Sequence, residues 1–249
     1  YTGGYNLADE YFNLTHPYGR WKDSGVRLEG DAVRNLTLIF LEMWGTTQKE
    51  MPAIEPYLPA IRYTAREAAT VLPYADNPLD DKRVGEDVYL NFINSAQRYV
   101  YITTPYLILS DEMQRALVLA AQRGVDVRII TPGIPDKKLI FSVTRSYYAQ
   151  LAAGGVQIYE YTPGFIHAKQ FVADDKAAAV GTINLDYRSL YLHFENGVWF
   201  YKNKVIQDIL SDFQETLNYC DPISIDFCRN RNIVIRAFQS ILRLFAPLL

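Results

Sequence analysis

The chain has 249 residues, 49% of them hydrophobic and 21% charged, the balance of a globular protein with room for one large domain or two small ones. A net charge of −3 supplies no overall field that would recruit nucleic acid. Two cysteines, Cys220 and Cys228, and three histidines are too few for a disulfide framework or a metal cluster at ligand spacing, so no metal is expected. No apolar run reaches the ~18 residues of a membrane span, and no signal-peptide pattern is present. The chain opens at Tyr1 without an initiator Met and reads as a fragment of a longer protein.

Residues 1–45 carry the outline of a unit that returns late in the chain. Gly3-Gly4-Tyr5-Asn6 has the Gly-to-Asn spacing of Gly181-Thr182-Ile183-Asn184, and Asp23-Ser24-Gly25-Val26 answers Glu195-Asn196-Gly197-Val198. Each leads into a helical pattern with the same offsets. Val33, Leu36 and Phe40 in the first copy match Ile206, Ile209 and Phe213 in the second, apolar at i, i+3 and i+7. The Gly-to-acid separation is 20 residues in the first copy and 14 in the second, which places a six-residue insertion near Asn13–Arg20. Such repetition predicts two pseudo-symmetric lobes. His16 sits in a Thr-His-Pro-Tyr-Gly segment with no Lys two residues on and reads as a turn residue.

Between Gly45 and Val84 the text is irregular and proline-rich, a connection enclosing one short strand around Ala69–Tyr74. Helix and strand then alternate. Helices are expected over Glu86–Gln97, from the Ser110 cap to Gly124, over Lys138–Ala153 and over Lys204–Tyr219. Strands are expected over Tyr99–Thr103, Val125–Ile130, Val156–Tyr161, residues 165–173, Ala177–Gly181 and Leu192–Tyr201. Strands separated by helices predict a sheet with parallel parts and helices on both faces. The tail differs in kind. From Arg229 to Leu249 it carries four Arg and no acid, with Val234, Phe238, Ile241, Phe245 and Leu248 on one helical face. Such a helix either lies in an anionic membrane interface or packs on the domain through the same face, and the two need not exclude each other.

The chemistry concentrates in Phe165–Asn184, where His167, Lys169 and Asp174 stand in the spacing H-x-K-x4-D, followed by Gly181 and Asn184. On a strand, a period of two puts His167 and Lys169 on one face. The imidazole can attack or protonate a phosphoester while Lys169 and Asn184 hold the phosphoryl oxygens. The ring's other nitrogen needs a partner to fix its tautomer, and Glu195, on the strand after the motif, is the expected one. Asp174 belongs to the motif but comes five residues after Lys169, so it is expected at the strand's end as a structural acceptor. Asn6 should complete the phosphate cradle from the first lobe, and Asp23 should orient the first lobe's own His. Gly3 and Gly181 should permit close backbone approach. Tyr106, Tyr187, Arg188, Ser189 and His193 read as packing or rim residues.

The H-x-K-x4-D…G-T…N pattern resembles the phospholipase D superfamily, whose motif occurs twice per active site. Tyr101–Val127, the run from Val180 to Asn196 and the Arg-Leu-Phe-Ala-Pro-Leu-Leu ending resemble the bacterial cardiolipin synthases over nearly the whole chain. The resemblance implies an α/β, pseudo-symmetric two-lobe fold with a mixed sheet flanked by helices, its first lobe incomplete. The expected divisions are 1–65 for the tail of the first lobe and linker, 66–220 for the second lobe and 221–249 for the cationic tail. His167 precedes Gly181 by 14 residues, Lys169 by 12 and Asp174 by 7. Counting back from Gly3 puts the first copy's His, Lys and Asp at −11, −9 and −4, outside the chain. The implied reaction joins two phosphatidylglycerol molecules into cardiolipin with release of glycerol, without metal or cofactor, through a phosphohistidine. The partners are then anionic phospholipid and a membrane surface rather than nucleic acid, at the cytoplasmic face of a bacterial membrane, with any anchor outside this chain. Alone, the chain is expected to be inactive or nearly so. A nuclease or phospholipase of the same superfamily, or an inert lipid-binding domain, are the alternatives.

Overall fold

Strand alternation decides where the core goes. Val100 and Ile102 point to one face of their strand and Tyr99 and Tyr101 to the other, and both faces are covered by helices. The computed structural model describes residues 1–48, 53–58, 60, 69–230 and 233–246. The strands are β1 (Thr2–Gly3), β2 (Gly25–Val26), β3 (Thr70–Asp76), β4 (Tyr99–Thr103), β5 (Asp126–Pro132), β6 (Gln157–Tyr161), β7 (Gln170–Ala173), β8 (Ala177–Gly181), β9 (Glu195–Tyr201) and β10 (Cys220–Pro222). The helices are α1 (Ala32–Gly45), α2 (Val84–Ser95), α3 (Asp111–Gln122), α4 (Lys138–Ala153), α5 (Tyr187–Tyr191), α6 (Val205–Leu217), α7 (Ile225–Arg229) and α8 (Ile233–Leu244).

Eight strands form one mixed sheet in the order β10-β6-β5-β4-β7-β8-β9-β3, parallel through β4, β5 and β6 and antiparallel elsewhere. Pro73, which cannot donate to a ladder, sits in β3 at the sheet edge. Helices α2, α3 and α4 cover one face with Phe92, Ile93, Met113, Leu117, Val143 and Tyr147. On the other face α6 buries Ile206, Ile209 and Phe213. Each such side chain contributes roughly 1.5–3 kcal/mol on leaving water. The Ser110 hydroxyl accepts from Met113 N at 3.2 Å, capping α3 as its sequence position suggests.

The internal repeat is visible in the backbone. β1 and β2 pair antiparallel with Gly3 opposite Gly25, as β8 and β9 pair with Gly181 opposite Gly197. A Cβ on Gly3 would come within 2.4 Å of Ser24 O, and one on Gly181 within 2.3 Å of Asn196 O. Both positions therefore need glycine for the same close approach. The helices that follow differ in one respect. In α6 the repeat's apolar positions are buried, whereas in α1 Val33 and Phe40 are exposed, Phe40 by 50%.

Three elements depart from the sequence reading. The strand expected over residues 165–173 is regular only from Gln170, because residues 163–167 bond to residues 20–22 instead. Leu192–Phe194 is not strand, since Asp186 caps the short helix α5 just before it. The tail forms two helices, α7 and α8, and β10 continues the sheet across the expected boundary at 220. Leu248 of the apolar stripe lies outside the described residues.

Candidate active site

His167 and Lys169 occupy an extended stretch ahead of β7, and its partner is the first copy. Arg20 N donates to Pro163 O at 2.9 Å, Lys22 N to Phe165 O at 3.0 Å and His167 N to Lys22 O at 2.7 Å. This ladder delivers the neighbouring residue, Asp23, to the imidazole. Asp23 Oδ2 lies 2.8 Å from His167 Nδ1, and its Oδ1 accepts from Ser24 N at 2.8 Å. The Asp23 side chain is wholly buried. An unpaired carboxylate there would be costly, so Nδ1 carries the proton and donates it to Asp23. That leaves Nε2 with the lone pair, the tautomer a nucleophile requires.

The expected partner, Glu195, is elsewhere. Thr182 Oγ1 donates to Glu195 Oε2, and His193 Nδ1 is 3.7 Å from Oε1, too far for a hydrogen bond. The assignment of acids to histidines is therefore crossed relative to the sequence reading. Asp23 of the first copy serves His167 of the second. Neighbours in sequence share a lobe, but the acid of the first copy, Asp23, faces the histidine of the second, which spacing alone does not reveal.

Lys169 is almost completely buried beside the ring. Its Nζ donates to His167 O at 2.5 Å and stands 2.8 Å from Nδ1, whose lone pair is already replaced by the proton on Asp23's side. Burial pulls its pKa down to about 7, against the pull of Asp23 and Glu195. Burial also lowers the pKa of His167, with Asp23 opposing and Lys169 reinforcing the shift, so the imidazole is neutral near pH 7. Burial raises Glu195 to about 7, with Thr182 and Lys169 opposing. Asp186, buried close by, is raised for the same reason.

Asn184 is placed by its flanks. Ile183 O accepts from Tyr89 OH at 2.8 Å and Leu185 N donates to Thr104 Oγ1 at 3.1 Å. Its Nδ2 donates to Ser189 Oγ at 2.9 Å while Oδ1 is buried without a protein partner. Since the Ser189 hydroxyl can donate as well as accept, the amide can turn and offer its NH2 to a phosphoryl oxygen. Asp174 is remote from this chemistry. It accepts from the backbone N–H of Gln97, Arg98 and Tyr99 at 2.8–2.9 Å, at the far end of β7. Seven residues of extended chain, about 20 Å, separate it from His167, and it ties the β7–β8 turn to β4. Asn6 is exposed and gives its Nδ2 to Tyr11 OH at 2.7 Å, so it reaches the site only through that ring.

Sequence reasoning missed the aromatic wall. Tyr11 stands edge-on to His167 at 5.2 Å between centroids, and Trp21, itself on Tyr11 and Phe165, lies 5.4 Å from the imidazole. Tyr11 and Trp21 flank the insertion near Asn13–Arg20, which holds this wall in place. Asn13, with φ 54°, clamps Trp21 through both amide ends at 2.8 and 2.9 Å. The six extra residues themselves were the available signal. Ser189, read as a rim residue, holds Asn184, and Thr182, one residue after Gly181, holds Glu195.

Residues 89–217 match the family model described as cardiolipin synthase, PLD-like domain. The chain belongs to that family. It is 49% identical over all 249 residues to an uncharacterized protein of Streptococcus mutans, covering 54% of that protein. It is 36% identical over its whole length to a cardiolipin synthase of Halalkalibacterium halodurans, covering 50% of it. The chain thus spans about half the length of these relatives. The structure of Nuc from Salmonella typhimurium, a phospholipase D family member, superposes on 63% of this chain and 99% of its own with a TM-score of 0.54 at 19% identity, a likeness of fold. The mixed sheet flanked by helices is therefore the phospholipase D-like α/β fold.

Proposed function

We propose that the chain is the C-terminal half of a phosphatidyl-transferring enzyme that makes cardiolipin from two phosphatidylglycerol molecules. The observation that carries this reading is the bond between Asp23 and His167, 144 positions apart. It makes one active site out of two copies of a repeat. Glu195 holds the place in the second copy that Asp23 holds in the first, and no histidine of the described residues lies within hydrogen-bond distance of it. A histidine from a preceding H-x-K segment would be its partner.

In this reading Nε2 of His167 attacks the phosphorus of one phosphatidylglycerol, and the bond from phosphorus to the glycerol oxygen breaks. Lys169 and the amide of Asn184 hold the equatorial oxygens as charge builds on them. The other lobe's histidine protonates the departing glycerol, then takes the proton from the hydroxyl of a second phosphatidylglycerol, which displaces His167 from phosphorus. The proton stays on Nδ1 of His167, hydrogen-bonded to Asp23, throughout. The names of the family and of the 36% identical relative support the lipid substrate over nucleic acid, as does the acidic chain.

The test is turnover of phosphatidylglycerol vesicles by this chain and by a version extended upstream with its natural coding sequence. Cardiolipin and glycerol from the extended version only, lost on His167→Ala, are the expected result. Activity of the 249-residue chain alone, or hydrolysis of DNA in place of lipid, overturns it.

A further inference from the structure

Each copy of the repeat sets an amide on a hydroxyl, and the two hydroxyls differ in reach. Asn184 Nδ2 donates to Ser189 Oγ at 2.9 Å, five positions on in the chain. Asn6, its counterpart three residues after Gly3, donates through Nδ2 to Tyr11 OH at 2.7 Å, also five positions on. Tyr11 therefore stands where the first copy repeats Ser189. Serine keeps its hydroxyl close to the backbone, whereas tyrosine carries it at the far end of a ring. In the second copy the hydroxyl anchors Asn184 within its own lobe. In the first copy the side chain reaches the other copy's histidine, the Tyr11 ring standing edge-on to His167 with 5.2 Å between centroids and 87° between planes.

We propose that Tyr11 is a further catalytic residue, its hydroxyl donating a hydrogen bond to a non-bridging oxygen of the phosphoryl group bound at His167. The proposal rests on the phosphoryl-transfer reading of the site and adds a donor from the first copy to Lys169 and Asn184 of the second. Position, proton and rigidity support it. Asp23 and Lys169 occupy the Nδ1 side of the imidazole, so a phosphoryl group joins the ring only through Nε2. With Asn6 donating to the phenol oxygen, the phenolic proton is left over, and it makes no hydrogen bond among the described residues. Burial, offset by the Asn6 bond and aided by Asp23, holds the phenol above its ordinary pKa, so it keeps that proton at neutral pH.

The ring cannot swing away. Trp21 packs on it at 4.3 Å between centroids, and Asn13, which ends the short turn Asp9–Phe12, clamps Trp21 in turn. Tyr11 is nonetheless partly exposed, which leaves room for a ligand beside it. A donor fixed before charge develops needs no reorganisation when it does, and such a hydrogen bond counts for most where water is excluded. No proton changes hands in this role. The bond from phosphorus to the leaving oxygen breaks as before, and the phenol's hydrogen bond strengthens as negative charge collects on its acceptor.

Orthovanadate, an oxyanion that adopts the five-coordinate geometry of phosphoryl transfer, tests this without any lipid. It is titrated into the 249-residue chain, into Tyr11→Phe and into His167→Ala, with calorimetry for affinity and NMR of the labelled histidine ring for the site. Tyr11→Phe keeps the ring and its packing and removes only the oxygen. The expected result is binding that needs His167 and is weaker by about tenfold or more in Tyr11→Phe, with the His167 signals of the two ligand-free proteins in the same place. Equal affinity in the parent and Tyr11→Phe overturns the proposal, as does a parent that binds no vanadate. So does a weaker affinity accompanied by displaced His167 signals, since Tyr11 would then serve only as part of the wall. In the upstream-extended protein the same substitution should lower kcat on phosphatidylglycerol about a hundredfold and leave KM within about twofold. An extended protein that makes no cardiolipin sinks the lipid reading and leaves the vanadate result to decide the role of Tyr11.

Discussion

At the scale of single residues, His167 is set by three neighbours that act in different senses. The wall of Tyr11, Trp21 and Phe165 excludes water and disfavours the charged ring, Lys169 adds to that, and Asp23 opposes it, with a smaller contribution from Asp136. Replacing Asp23 by Asn removes the strongest influence that favours imidazolium, so the His167 pKa falls further below its ordinary value and the Nδ1–H tautomer loses its anchor. Glu195→Gln leaves both unchanged, because Glu195 is bonded to Thr182 and not to this ring. Titration of the ring by NMR in isotope-labelled protein separates the two variants. Equal responses to both would restore the within-lobe pairing that the sequence suggests. Sequence alone could name both carboxylates and could not say which histidine each serves. The answer depends on the ladder between residues 20–22 and 163–167, which has no motif of its own.

At the scale of elements, legibility followed how much of the information was local. Strand β4 and helix α4 have the expected ends because alternation, proline, glycine and a 3.6-residue period all lie within the segment. The strand expected over residues 165–173 was cut short because its first half bonds to chain more than a hundred positions away, a tertiary effect with no local trace. The two repeat helices make the same point in energy. Phe213 is fully buried under the sheet and Phe40, its match in the repeat, is half exposed, although both read as core from spacing alone. Phe213→Ala should cost about 3–5 kcal/mol through lost burial and the cavity left behind, while Phe40→Ala should stay within about 0.5 kcal/mol in this chain. Urea denaturation of the two variants checks the difference. A comparable loss for both would mean that α1 is covered by something other than water.

At the scale of the whole molecule, the site costs the fold stability, and pH reveals how much. Glu195 titrates near 4.5 when exposed and at about 7 in the fold, where burial holds it protonated. Between those values the native state binds the proton that the unfolded state has released, so its contribution to stability falls as pH rises from about 4.5 to 7. Lys169 runs the other way. Its ordinary value of 10.5 is pulled to about 7 by burial, so between 7 and 10.5 the unfolded state holds the extra proton and stability rises with pH. The two contributions together are least favourable near neutrality, the range in which a phosphoryl site needs a neutral imidazole and a positive charge beside it. Glu195→Gln keeps an acceptor for Thr182 and removes one of the two titrations. The variant should match the parent at pH 4.5–5 and be more stable by about 3 kcal/mol at pH 8, where the parent must bury a carboxylate. Denaturation midpoints at the two pH values measure the gap. A gap of the same size at both would show that Glu195 is ionised in the fold as easily as in water, and the strain would then rest on Lys169 alone.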